Sequence, residues 1–234
     1  MKTLCARLVL VAVSFLAYAC GAAQTTEPSA QELKQLARLT RVVDKFIKHE
    51  TSTLKPCMQQ LTKSAAARQS AINAEFEVFN AQCVKNASAK DEQACHVKFV
   101  GVLQMCLEGA KSLAEEALQV YSATKQSLPL FLSVVKASGA ATNNKTMSHA
   151  GKNMTVSLMT RAVNAAELQR STHPAVLLDN LSLALSARNE EVLQWPDAIQ
   201  ELQKMQDVLQ EAIEAFAKNP SVLPSSLINQ TTYL

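Results

Sequence analysis

The sequence predicts an all-α fold: a disulfide-linked helical bundle built on a long antiparallel helical hairpin. Three observations carry this. Apolar residues recur at three- and four-residue steps along most of the chain, the period of one helix face. Only five of the 234 residues are glycine, too few for a turn-dense β protein. Four cysteines lie where they can tie one predicted helix to the next. An apolar fraction of 48% also excludes a wholly disordered chain. The organisation expected is a signal peptide over 1–23, a helical-bundle domain over 24–217 and an irregular tail over 218–234.

The first segment reads as an address. Lys2 and Arg7 flank the start of an apolar run, Leu8 to Ala19, and the small residues Ala17-Tyr18-Ala19 and Cys20-Gly21-Ala22-Ala23 follow. A basic start, a short apolar core and an Ala-x-Ala step describe a secretory signal peptide, cleaved after Ala19 or Ala23. The run is about 12 residues, short of the roughly 20 that a membrane span needs. Cleavage lowers the formal charge from +3 to +1. That balance, with no basic stripe, argues against nucleic-acid binding. Asn-x-Ser/Thr stands at Asn86, Asn144, Asn153, Asn180 and Asn229, five sequons where composition predicts about 1.6. Export and glycosylation are therefore expected together.

From Ser29 the pattern is helical. Ser29 and Glu32 form a capping box, each side chain satisfying a free backbone N–H of the other. Leu33, Leu36, Val43 and Ile47 stripe this helix to about His49. Thr51-Ser52-Thr53 is expected to interrupt, and Pro56 to open a second helix, where its missing N–H costs nothing. Cys57, Leu61, Ala65, Ile72, Phe76, Phe79 and Cys83 share its broad face to about residue 84. Lys85 to Lys90 reads as a turn, and Ser88 with Asp91 can cap the third helix. Cys95, Phe99, Val102, Cys106, Leu113, Ala117 and Val120 stripe that helix to about Gln126. Pro129 should begin a shorter one, Leu130 to Ala141. Residues 142–153 are polar and read as an exposed loop. A helix from Thr155 to Gln169 follows, then one capped by Thr172-His173-Pro174 to about Gln194. Trp195-Pro196 should mark a junction, and a last helix carries Ile199, Leu202, Leu209, Ile213 and Phe216 until Asn219-Pro220.

Helix geometry limits the cysteine pairing. Cys57 and Cys83 on one helix stand about 39 Å apart, and Cys95 and Cys106 about 16 Å apart. Bridged Cα atoms lie within roughly 7 Å, so neither pair can bond. Near the turn, Cys83 and Cys95 can meet. Elimination then pairs Cys57 with Cys106, but in a straight hairpin Cys57 falls opposite residue 119, about 20 Å from Cys106. The second helix must break around Ala65 to Ser70, or Cys57 must fold back on a loop, or these two thiols stay free or bridge another chain.

Signals for chemistry are sparse. His49, His96, His149 and His173 form no metal-ligand spacing. Gly139 to Thr146 resembles a phosphate-binding loop in composition, but Asn144 replaces its second glycine and no strand precedes it. Glu115-Glu116 and Glu190-Glu191 are adjacent pairs that point to different sides of a helix. No cofactor, metal or catalytic residue is expected. Met105, Met147, Met154, Met159 and Met205 could line an adaptable apolar cavity. Leu128 to Val135 could wall it, and Trp195 could anchor a partner or plug the bundle. The expected function is that of a secreted, non-enzymatic protein-interaction module with an extracellular protein partner. The alternative is a carrier of a small apolar ligand such as a lipid.

Overall fold

The computed structural model describes residues 29–85, 92–168 and 170–218. These residues are helical throughout apart from short connections, and no strand occurs among them. Helix α1 spans Ala30–His49 and α2 spans Lys55–Phe79; α3 spans Glu92–Thr142, α4 His149–Ala165 and α5 Pro174–Lys218. Two π-helical turns, Glu50–Leu54 and Asn80–Lys85, sit at the two ends of α2. The predicted signal peptide, the turn residues 86–91 and the tail 219–234 lie outside the described residues.

Helices are longer than the sequence reading expects. Thr51-Ser52-Thr53 does not break the chain; residues 30–85 form one helical stretch. The hydroxyls turn back on the preceding turn. Thr51 Oγ1 donates to the Ile47 carbonyl at 2.8 Å, and Ser52 Oγ donates to the Lys48 carbonyl. A run of hydroxyl side chains thus keeps its helix, and the wider π-helical turn accommodates the locally bent backbone. Pro129 and Pro196 also lie inside helices rather than at their starts. An internal proline costs about 3 kcal/mol locally. Buried neighbours on either side hold the helix together: Ser127 and Phe131 around Pro129, Val192 and Ile199 around Pro196.

The predicted capping box is present. Ser29 N–H donates to Glu32 Oε2 at 2.6 Å, and Glu32 N–H donates to Ser29 Oγ at 3.2 Å. Helix α4 begins earlier than expected, at His149 rather than Thr155, because Ser148 caps it by accepting from Gly151 N–H at 3.1 Å. It ends at Ala165 in a Schellman arrangement. Leu168 N–H donates to the Val163 carbonyl at 2.9 Å and Glu167 N–H to Asn164 at 3.2 Å, with Glu167 at φ 59°.

The chain divides into two compact units. Unit one takes residues up to Asp44 together with Ser133–Leu181. Its buried residues include Leu36, Leu39 and Val43 of α1, Val134 and Ala141 of α3, Met159 and Val163 of α4, and Leu177 and Leu181 of α5. Glu32 adds a polar tie, since its Oε1 accepts from the Ser148 N–H. One carboxylate therefore serves the first turns of both α1 and α4.

Unit two takes Lys45–Leu132 and the chain from Ser182. One core cluster gathers Phe79, Cys83, Phe99, Leu103, Cys106, Leu209 and Phe216. Phe99 packs its ring edge-on to Phe216, with centroids 5.1 Å apart, and tilted to Phe79 at 5.3 Å. A second cluster joins Leu54, Val120 and Ala123, with Cys57, Leu61 and Trp195 packed against it. Between them Ser64 and Arg68 of α2 reach Glu116 of α3.

Candidate functional site

The predicted Cys83–Cys95 bridge is formed, with Cα atoms 5.6 Å apart. The Cys57–Cys106 pairing left by elimination is not formed; both cysteines are free, as the third alternative allowed. The reason is the register that strained the pairing in the first place. Cys57 packs against the cluster of Leu54, Val120 and Ala123, whereas Cys106 belongs to the cluster of Phe79, Phe99 and Phe216. Helix α2 keeps its course past Ala65 to Ser70, so nothing brings Cys57 back. Burial pushes the Cys106 thiol above its ordinary pKa, because the thiolate would be desolvated there.

The sequons are divided between the units, Asn86 and Asn229 falling in the chain ranges of unit two. Asn144, Asn153 and Asn180 all belong to unit one. Asn144 is half-buried; its amide donates to Gln35 Oε1 at 2.9 Å, and its Oδ1 accepts from Thr146 Oγ1 at 2.7 Å. Asn153 is exposed on α4, and Asn180 is half-buried on α5. Asn86 and Asn229 lie outside the described residues. No sequon asparagine falls on the described residues of unit two.

The methionines do not line one cavity. Met147 and Met159 are buried in unit one, Met154 is exposed there, and Met205 packs on the core of unit two. Trp195 lies within α5, half-buried against the Leu54 cluster. The histidines are dispersed. His49 Nε2 lies 2.9 Å from the Ala123 carbonyl, and His96 faces the Phe216 ring at 6.3 Å. His149 Nδ1 pairs with Asn153, and His173 is exposed. Among the described residues, no three His, Cys, Asp or Glu side chains converge as metal ligands.

The sequence reading missed the most deeply buried charge in unit two. Glu50, at the start of the first π-helical turn, is 2% exposed. Arg188 Nη1 donates to Glu50 Oε1 at 2.6 Å and to Ser127 Oγ at 2.9 Å, and Ser127 in turn donates to Glu50. The guanidinium also lies over the Phe131 ring, 5.4 Å from its centroid, and Phe131 stacks on Phe46 at 4.7 Å. Glu50 and Arg188 are 138 residues apart in sequence, and no local pattern links them. The signal available was small: an acid beside a polar helical interruption, and an arginine at the polar end of the Leu181–Leu185 stripe. A second ion pair is more open. Arg68 grips Glu116 with two nitrogens, at 2.6 and 3.3 Å, and also donates to Ser112 at 2.8 Å. The Arg68 hydrogen bonds, aided by Ser64, hold the Glu116 carboxyl below the usual carboxylate range. Both clusters are closed ion pairs whose groups are satisfied by protein, which suits holding helices rather than transferring protons.

A shallow groove of about 620 Å³ lies beside the Glu50 cluster in sequence. Leu128, Pro129, Leu132 and Leu185 give it an apolar wall, with Asn189 and Glu190 at its polar side. Of the segment Leu128 to Val135, expected to wall a methionine-lined cavity, Leu128, Pro129 and Leu132 line this groove, but none of the five methionines does. Leu132 is 40% exposed, and Leu183 and Leu193 stand out from α5 at 70% and 69%. No helix among the described residues is long and apolar enough to cross a membrane. The chain matches no family model, no curated protein and no solved structure.

Proposed function

We propose that this chain is a secreted, glycosylated helical protein that acts as an extracellular protein-interaction module without a catalytic role. Its frame is an antiparallel hairpin of α2 and α3. The order of contacts supports that frame: Cys57 against the cluster that holds Val120, Ser64 with Glu116, Ile72 beside Gly109, Phe79 with Phe99, and Cys83 bonded to Cys95. The disulfide fits an oxidising compartment.

One observation carries the interaction reading. The apolar groove lies in unit two, and none of the residues lining it is a sequon asparagine. No glycan is therefore anchored in its wall, which leaves the groove open to a partner. An exposed apolar surface with a polar margin suits a protein partner. Lipid carriage is less favoured, because the 620 Å³ groove is shallow and open to solvent and the more enclosed apolar cavity of unit two measures only about 150 Å³. Pockets for drug-sized ligands run from about 300 Å³ upward.

Expression of the full chain in a eukaryotic secretory system tests this reading. It should reach the medium carrying glycans removable by endoglycosidase. A photo-crosslinking residue at Leu132 should capture one extracellular protein, and Leu185→Asp should abolish that product. Retention inside the cell without glycans, or crosslinks at Leu132 no different from those at exposed Gln69, would overturn it.

A further inference from the structure

A second pocket in unit two is smaller and differently built. It measures about 150 Å³ and lies against Ile72, Cys106, Gly109, Leu113, Leu202 and Met205. Gly109 is what leaves it open. A Cβ there would sit 3.5 Å from Ile72 Cδ1 and 3.9 Å from Arg68 Cδ, ordinary contact distances. The position therefore tolerates a side chain sterically, and its absence leaves space between α2, α3 and α5. Arg68 also borders the pocket, but its guanidinium is already paired with Glu116 at 2.6 Å. Gln69 also borders it, with its amide engaged by Asn73 at 3.0 Å, so the lining is mostly aliphatic carbon and two polarisable sulfurs, with no uncompensated charge.

We propose that this cavity is a binding site for a neutral, apolar molecule of benzene size. A space of about 150 Å³ lined by aliphatic side chains holds a ligand of that size and is too small for a fatty acyl chain. Sulfur atoms favour an aromatic ring, whose edge they contact well. An anion is excluded by the paired arginine, which has no charge left to offer. This site is independent of the interaction groove and stands whether or not that groove has a partner.

Methyl NMR of the purified full chain, with labelled methionines, tests the proposal using benzene as the probe. The Met205 signal is assigned by its loss in Met205→Leu. Benzene should shift it saturably by ring current, while the exposed Met58 and Met154 signals stay still. Palmitate should leave the Met205 signal unmoved. Gly109→Leu fills the space and should lose the benzene response while keeping a wild-type melting temperature. The proposal fails if Met205 does not respond saturably, if all methionines shift in parallel, or if palmitate matches benzene. Should Gly109→Leu fail to fold, the benzene and palmitate comparison in the wild-type chain decides alone.

Discussion

Two serines on α3, eleven residues apart, show how differently the two units treat a buried hydroxyl. Ser127 in unit two and Ser138 in unit one are both 0% exposed. Ser127 is fully engaged, accepting from Arg188 and donating to Glu50. Ser138 Oγ has no hydrogen-bond partner among the described residues. Unit two spends its buried polarity on a closed charged network. Unit one keeps its ties at helix ends, where Glu32 and Ser148 serve backbone N–H groups. A buried polar atom stabilises only when every partner is in place, so unit two is the more sensitive to losing one group.

That contrast is broken most severely at Arg188. Arg188→Met leaves the Glu50 carboxylate buried without its cation and should cost about 3–5 kcal/mol in chemical denaturation. Adding Glu50→Leu should recover most of the loss, because the uncompensated charge is then gone. If the double variant is no more stable than the single, the network is not what holds the turn. Replacing both Cys83 and Cys95 by alanine should cost ~2–4 kcal/mol, mainly by freeing the unfolded chain. Hydrogen exchange should place that loss on unit two. In unit one the sign reverses: Ser138→Ala removes an unpaired hydroxyl and should raise stability by about 1 kcal/mol. A loss of similar size would mean that a partner had been overlooked.

Acid separates the units by mechanism. Glu32 is held below the usual carboxylate range by the Ser148 and Ser29 backbone N–H groups, and Glu116 by Arg68. Both folded pKa values lie below the unfolded value near 4.3, so both contributions are complete above that pH and are lost as pH falls through the folded values. Molar salt should weaken the Glu116 contribution, which rests on a guanidinium, and leave that of Glu32 nearly unchanged. Exchange of α1 and α2 amides between pH 2 and 6, at low and high salt, reads the difference. The smallest effect belongs to Arg161 and Asp44, an exposed pair 2.7 Å apart in unit one. Arg161→Ala should change stability by less than about 0.5 kcal/mol.

Local signals in the sequence were legible and long-range ones were not. The Ser29–Glu32 box depends on residues three apart, and the Cys83–Cys95 bond on two helix ends flanking a short polar turn. Both follow from nearby residues alone. The Thr51-Ser52-Thr53 run and the two internal prolines misled because propensity disfavours helix there, and burial of the flanking residues outweighed it. Ser148 as a cap was hidden by a following turn with no apolar stripe, His149-Ala150-Gly151-Lys152. The Glu50–Ser127–Arg188 network and the apolar cavity at Gly109 were beyond reach for another reason. Their members lie on separate helices, and only the three-dimensional register brings them together.

The free thiols give unfolding a memory. Cys106 is 6% exposed and held in its protonated form, so in the native chain it is a poor nucleophile toward any disulfide. Opening of unit two would release it, together with half-buried Cys57, to attack the Cys83–Cys95 disulfide. Four cysteines permit three fully paired isomers, and only some of the routes through them lead back. The native pairing is thus protected by how rarely the core opens. In an oxidising medium such scrambling would follow the equilibrium population of the opened unit, because thiol exchange is slower than reclosing.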